Sequence, residues 1–311
     1  MSQLVWSPLT PEDLPALEPV AQACLDRDGG LPDLATPARI DSLFGNREGI
    51  VGRDQLGEVV AAVAMSKQDN GVYTVTGLVH PSAYGQGFGI ELARWVREQV
   101  EGAPVYLAME SVSPEVEELF GNLGLHRTFS ETVMRHPLRH IPFVRLADDL
   151  VSLPFTDDLS ETFQHAYEQS FGDQPGYDRG SATAWGAWLR EQEGFLPEES
   201  RVVIDKTGHV VGFVTVSEDW IEEVGVVPSW RGKGVGAHLV VRTLTAMQKR
   251  GASQVWLAVG ASNPARSLYE RLGFTVYGTR ARYRMPGLVE QPVDPAAEQL
   301  LGSSGDPVVT G

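Results

Sequence analysis

The chain has 311 residues and one cysteine, Cys24. A single thiol excludes an intrachain disulfide and fits a reducing compartment, so a cytoplasmic location is expected. With seven scattered histidines beside it, the sequence shows no metal-ligand spacing, and no metal site is expected. No run approaches the roughly 20 apolar residues of a membrane span. The opening Met1-Ser2-Gln3-Leu4-Val5-Trp6 has no charged segment ahead of an apolar core, so neither an export signal nor a membrane partner is expected. Basic residues are the minority. The 25 Lys and Arg against 41 Asp and Glu leave a net charge of −16, which argues against nucleic acid, because phosphate backbones need a basic footprint. The acidic balance suits a cationic substrate such as an amine, and it equally serves solubility alone. Apolar mass is not lacking: at 42% hydrophobic the chain can fill two ordinary globular cores.

What the chain has in abundance is glycine at telling positions. The run Val226-Val227-Pro228-Ser229-Trp230-Arg231-Gly232-Lys233-Gly234-Val235-Gly236 reads as a strand that stops at a proline, turns through glycines and opens a helix. Such a loop gathers backbone N–H groups at the positive end of a helix dipole, a ready site for a pyrophosphate. Gly232, Gly234 and Gly236 let the backbone approach a ligand closely, and Arg231 and Lys233 add positive charge. A fainter copy stands earlier, at Val79-His80-Pro81-Ser82-Ala83-Tyr84-Gly85-Gln86-Gly87-Phe88-Gly89.

The duplication extends to the whole order of elements. In the first half a helix is predicted after Thr10-Pro11, then a hairpin over 49–65, a strand over 72–79, a helix over 90–100, a strand over 105–109, a helix over 114–123 and a strand over 128–136. The second half repeats this order. It has a helix over 158–171, a hairpin over 201–216, a strand over 220–227, a helix over 237–250 closed by Gly251, a strand over 255–259, a helix over 264–272 and strand residues over 274–285. Residues 137–146 join the halves. Residues 286–311, rich in Pro, Gly, Ser and Glu, read as a disordered tail.

This order, together with two motifs, resembles the GNAT superfamily of N-acetyltransferases. The family's acyl-CoA loop, Gln/Arg-x-x-Gly-x-Gly/Ala, stands here as Arg231 to Gly236. Its later signature stands as Asn263 with Leu268-Tyr269-Glu270-Arg271-Leu272-Gly273-Phe274. The resemblance is good over residues 145–285 and weaker over 1–140, and the tandem pair is also similar to the mycothiol synthase branch. It implies an α/β fold of two tandem GNAT-type domains, each a mixed, mostly antiparallel sheet flanked by helices. Residues 1–140 would form a degenerate, non-catalytic domain and 141–285 the catalytic one. The first half has Tyr84 where the loop wants Gln or Arg, Phe120 where the tyrosine belongs, and Ser113 in place of Asn263.

The resemblance implies acetyl-CoA as cosubstrate and a small-molecule primary amine as acceptor, with non-catalytic acyl-CoA binding and protein N-terminal or lysine acetylation as alternatives. By position, the backbone of Val224 and Val226 would meet the pantetheine and the acetyl oxygen, and the amides of Arg231, Gly232, Lys233, Gly234, Val235 and Gly236 the pyrophosphate. Asn263 either touches the cofactor or simply caps its helix. Tyr269 is the candidate general acid, its ordinary pKa near 10 suiting a thiolate leaving group. Glu222, with Glu223 behind it, is the candidate base; strand alternation puts the two on opposite faces, and both could instead be solvated surface acids. Trp185, Trp188 and Phe195 lie in the segment where the family builds its acceptor pocket, and the spacing of Trp185, Trp188 and Leu189 equally suits a buried helix stripe. His165, His209 and His238 read as surface or loop residues. A monomer and a homodimer are both compatible with a domain pair.

Overall fold

A computed structural model describes residues 3–172, 189, 191–192 and 194–285. Trp185, Trp188 and the tail from 286 lie outside the described residues. In chain order the strands and helices are β1 Val5–Pro8, α1 Leu14–Asp28, α2 Pro37–Phe44, β2 Glu48–Arg53, β3 Val59–Lys67, β4 Tyr73–Val79, α3 Phe88–Val100, β5 Val105–Met109, α4 Pro114–Asn122 and β6 His126–His136. They continue with β7 Leu150–Pro154, α5 Ser160–Phe171, β8 Arg201–Asp205, β9 Val210–Ser217, β10 Trp220–Val226, α6 Val235–Arg250, β11 Val255–Gly260, α7 Ala265–Arg271 and β12 Thr275–Met285.

The described residues divide into two compact units, 3–133 with 277–285, and 134–276. In the first unit the strand order is β1-β2-β3-β4-β5-β12, antiparallel throughout except for the parallel β4/β5 pair. The last strand thus finishes in the first unit, where Ala281–Met285 pair with Met109–Val105. In the second unit the order is β7-β8-β9-β10-β11, again antiparallel except between β10 and β11. Each unit is therefore a mixed, mostly antiparallel sheet with helices beside it.

Both faces of each sheet are covered, and the residue pattern shows why. Along β3, Ala61, Val63 and Met65 join the cluster built on Phe88, Leu92 and Val96 of α3, whereas Ala62 and Ala64 join the cluster of α1 and α2 around Leu17, Ile40 and Phe44. Period-2 alternation distributes one strand between two cores. In the second unit β9 is buried at every position. Val214 and Val216 pack with Leu239 and Leu244 of α6, and Phe213 packs with Phe163 and Phe171 of α5.

Three elements are absent from the sequence reading, the edge strands β1 and β7 and helix α2. Strand β7 is an edge strand that ends in Pro154, a residue that weakens a strand signal and is tolerated at an edge. Helix α2 carries a legible start, since Thr36 Oγ1 accepts the N–H of Arg39 and Pro37 stands at the first position.

Gly225 fixes how closely α5 approaches β10. A Cβ there would lie 2.3 Å from Phe213 Cε1 and 2.7 Å from Ser170 Cβ. Gly225→Ala is expected to destabilise the protein by about 1–3 kcal/mol through overpacking, seen as a lowered denaturation midpoint with an unchanged slope.

Candidate active site

Strand β10 carries the candidate carboxylates. Its ladder with β9 pairs Ile221 with Val216, then Glu223 with Thr215, Val224 with Val214, Gly225 with Phe213 and Val226 with Gly212. Glu222 is the extra residue of a β-bulge. The bulge interrupts the simple alternation that sets Glu222 and Glu223 on opposite faces. Downstream the alternation resumes. Val224 and Val226 pack toward the α6-side core, and Gly225 faces Phe213 and Ser170. Glu223 and Thr215 therefore share the α5 face. Glu223 is 4% exposed, and Glu222 is half-buried.

On its other edge β10 pairs with β11 only at Trp220 and Trp256, where the two indoles stack at 6.1 Å. Beyond that pair the strands part. Val227 N–H donates to Val211 O at 2.9 Å. Because backbone groups alternate sides along a strand, those of Val224 and Val226 point into the gap.

The glycine loop follows at the end of the gap. Gly232 and Gly234 adopt φ of +75° and +84°, a region that costs an L-residue about 1–2 kcal/mol. No atom lies within 4 Å of where a Cβ would stand at either position, so the loop is an open cradle. Arg231 N–H turns to Pro228 O at 3.2 Å, and Lys233 N–H to Trp230 O at 3.4 Å. The amides of Gly232 and Gly234 have no backbone partner among the described residues. Those of Val235 and Gly236 lie in the first turn of α6, where N–H groups lack intrahelical acceptors. The cationic side chains are drawn elsewhere. Arg231 donates through Nε to Val226 O at 3.1 Å and through Nη2 to Ser170 O at 2.8 Å, beside the negative end of α5. Lys233 Nζ sits 4.6 Å from the centre of the Trp230 ring.

Gly236 marks where the two sequence motifs meet. A Cβ at Gly236 would touch Val226 Cγ2 at 3.4 Å and Leu268 Cδ2 at 3.6 Å. The strand end, the glycine loop and the helix bearing Tyr269 thus converge on one residue. Tyr269 is 8% exposed and packs edge-on against Phe274, with ring centroids 5.9 Å apart. Its hydroxyl has no partner among the described residues, and burial pushes its pKa up to about 12. Asn263 Oδ1 accepts the Ala265 N–H at 2.8 Å, which is the capping role, while its buried Nδ2 has no partner among the described residues. An open glycine cradle, strand groups aimed into a gap and an unused amide donor fit a pantetheine and pyrophosphate.

Other predicted residues lie elsewhere. Phe195 bridges to Ser217 and packs edge-on against Phe155 at 5.1 Å, a core position. His238 is a correction to the surface reading. It is 9% exposed in α6, its Nδ1 lies 2.8 Å from Val144 O, and desolvation lowers its pKa. The sequence reading missed Ser170, Thr215 and Ser217. These are buried hydroxyls without partners among the described residues, and buried polar atoms of this kind call for an explanation. Gly225 inside a strand, a mark of close approach, was the available pointer to Ser170.

The corresponding positions of the first unit are built differently. Strand β4 runs without a bulge, and β4 and β5 stay paired through Val75 and Leu107. Thr76 Oγ1 then donates to Ala108 O at 3.1 Å, tying the strands together one residue further on. Phe120, in the tyrosine position, packs edge-on against Tyr283 at 4.8 Å.

Two sheets of this topology, a strand pair that parts beside a glycine loop and a buried tyrosine near the loop define an acyl-CoA-dependent transferase fold. The chain belongs to the GNAT acetyltransferase family and is an acetyl-CoA-dependent N-acetyltransferase with tandem GNAT architecture. The model of the acetyltransferase (GNAT) family matches residues 156–274. A mycothiol acetyltransferase from Thermomonospora curvata is 31% identical over 218 residues, covering 67% of this chain and 72% of that protein. Among solved structures, a GCN5-related N-acetyltransferase from Sphaerobacter thermophilus superposes with a TM-score of 0.69 at 24% identity, covering 92% of this chain and 98% of that one. A tandem GNAT protein from the clavulanic acid biosynthesis pathway gives 0.60 at 19% identity, covering 94% and 100%. At these identities the structures establish the fold alone. Among the described residues no helix is long and apolar enough to cross a membrane.

Proposed function

We propose that the second unit transfers acetyl from acetyl-CoA to a primary amine of a small molecule, by direct attack of the amine on the thioester. The observation that carries this reading is the convergence of Val226, Gly236 and Leu268 at the mouth of the parted β10/β11 pair. The amides of Gly232, Gly234, Val235 and Gly236 would hold the pyrophosphate. The N–H of Val226 would stabilise the negative charge that builds on the acetyl oxygen. Glu222 would take the amine's proton through a water as the nitrogen–carbon bond forms. As the carbon–sulfur bond breaks, Tyr269 would protonate the departing thiolate.

The α5 face supports an acceptor site beside this chemistry. Glu223, Thr215 and Ser170 gather there around Gly225, a buried carboxylate with two buried hydroxyls. An ammonium group and polar substituents on the acceptor match that set. The name of the Thermomonospora curvata relative makes a mycothiol-related amine the first acceptor to try.

The two glutamates separate by their kinetics. Glu222→Gln is expected to lower kcat by about 10²-fold and to remove the acid limb of the kcat profile, the size of effect of a positioned base. Glu223→Gln is expected to raise the acceptor KM and keep that limb. The reverse pattern would move the base to Glu223. Retention of full activity in both variants would sink the carboxylate mechanism.

A further inference from the structure

Both cations of the second unit's glycine loop are engaged by their own fold. Lys233 lies over the Trp230 ring, and Arg231 reaches two backbone carbonyls, Val226 O at 3.1 Å and Ser170 O at 2.8 Å. The first carbonyl ends β10. The second lies in the last turn of α5, where carbonyls lack intrahelical donors and the helix dipole favours a cation. A guanidinium is a rigid planar fork, so two bonds to separate elements fix their separation as well as satisfying them.

Backbone shape brings the same two elements together. Gly225 lets α5 approach β10 so closely that a Cβ there would stand 2.7 Å from Ser170 Cβ. The peptide that joins Val226 to Val227 is then held from both ends. Its N–H donates to Val211 O at 2.9 Å, and its carbonyl accepts from Arg231 Nε. Val226 is thus fixed on a stretch of β10 that has already parted from β11.

The first unit meets the same need with other side chains. Val79 stands where Val226 stands, and Tyr84 where Arg231 stands. Cys24 Sγ, on α1, donates to Val79 O at 3.4 Å, and Tyr84 Oη donates to Asp28 Oδ2, at the end of α1, at 3.3 Å. In both units a side chain bonds the strand-end carbonyl, and the leading side chain of the loop reaches back to the helix end. A phenol carries no charge for a phosphate at neutral pH. A contact that persists when guanidinium is exchanged for phenol is suited to tying helix to strand.

We infer that the Arg231 side chain is a positioning residue, which ties the end of α5 to the end of β10, holds Val226 in place for the acetyl group and leaves the pyrophosphate to the loop amides. The inference rests on the reading of the second unit as the cofactor site.

Calorimetry of the whole protein with coenzyme A and with pantetheine, which lacks the pyrophosphate, separates a tie from a phosphate ligand. In Arg231→Met the ratio of the two affinities should stay as in the wild type. A lost phosphate contact would instead weaken coenzyme A alone by about tenfold or more, the size of a charge-assisted hydrogen bond. Infrared spectra of carbonyl-labelled acetyl-CoA then report on Val226. The bound carbonyl stretch should fall below that of free acetyl-CoA, because a hydrogen bond weakens the C=O bond, and Arg231→Met should lose most of that shift. Arg231→Gln should recover it, since its amide nitrogen occupies the place of Nε along the side chain without the charge. Hydrogen exchange needs no cofactor. Arg231→Met should speed exchange in the last turn of α5 and at Val227, and Arg231→Gln should restore protection at Val227. A selective loss of coenzyme A affinity, a wild-type carbonyl shift in Arg231→Met, or unchanged exchange in that variant overturns the inference. Coenzyme A binding that survives Gly234→Glu would refute the second-unit reading instead, and the exchange data would still decide whether the tie exists.

Discussion

Replacing Tyr269 by phenylalanine is expected to lower kcat by about 10²–10³-fold, the range of a positioned general acid, while the acetyl-CoA affinity and the fold persist. The physical reason lies in what the hydroxyl does not do. It has no partner among the described residues, so its removal strands no buried group and costs little stability. The ring's packing on Phe274 survives the substitution. A loss of activity without a loss of stability is therefore the signature, read by steady-state kinetics beside thermal denaturation. If activity stays within a few-fold of wild type, the phenol is a packing residue.

The same tyrosine gives a prediction in pH. Its folded pKa lies near 12 against an ordinary 10. The unfolded phenol ionises first, so stability begins to fall as pH rises through 10 and the loss is complete near 12. Two units correspond to about 3 kcal/mol. Below pH 10 the group is protonated in both states and contributes no pH dependence. Tyr269→Phe should remove this share of the alkaline loss, read as the difference between the two proteins' stability profiles. Within the working range the phenol remains a proton donor.

Gly234→Glu is expected to weaken acetyl-CoA binding by about 100-fold or more. The backbone at Gly234 has φ of +84°, which an L-side chain adopts only at a cost of about 1–2 kcal/mol. The added carboxylate would project into a cradle that offers open space, where amides of the loop and of the first turn of α6 face a phosphate. Strain and like-charge repulsion act in the same direction. Gly87→Glu, at the equivalent loop of the first unit with φ of +92°, should carry the strain alone and leave acetyl-CoA affinity near wild type. Calorimetry on the pair tells which loop holds the nucleotide. Equal losses from both substitutions would mean that the first loop also holds a nucleotide.

The sequence alone determined the family and its two motifs, because both depend on local backbone chemistry. Gly232 and Gly234 were legible since few other residues tolerate positive φ in a loop that opens a helix. Tyr269 was legible through the Leu-Tyr-x-x-Leu-Gly-Phe run, whose apolar positions face one core. The departures of the first half from both motifs, Tyr84 in the loop and Phe120 in the later run, were equally legible. The tertiary structure decided everything that depends on a partner distant in the chain. The bulge at Glu222 exists only as a mismatch between β10 and β9, so counting along one strand misplaces the face. The sequence reads the Arg231 side chain only as positive charge in the loop, and the fold sets Ser170 O, on α5, within hydrogen-bond reach of its guanidinium. His238 reads as polar surface until Val144 O appears beside its ring. The finish of β12 in the first unit rests on its pairing with β5, a contact with no local trace in composition or periodicity. Local patterns record what the backbone can do, and long-range pairing selects which side chains meet.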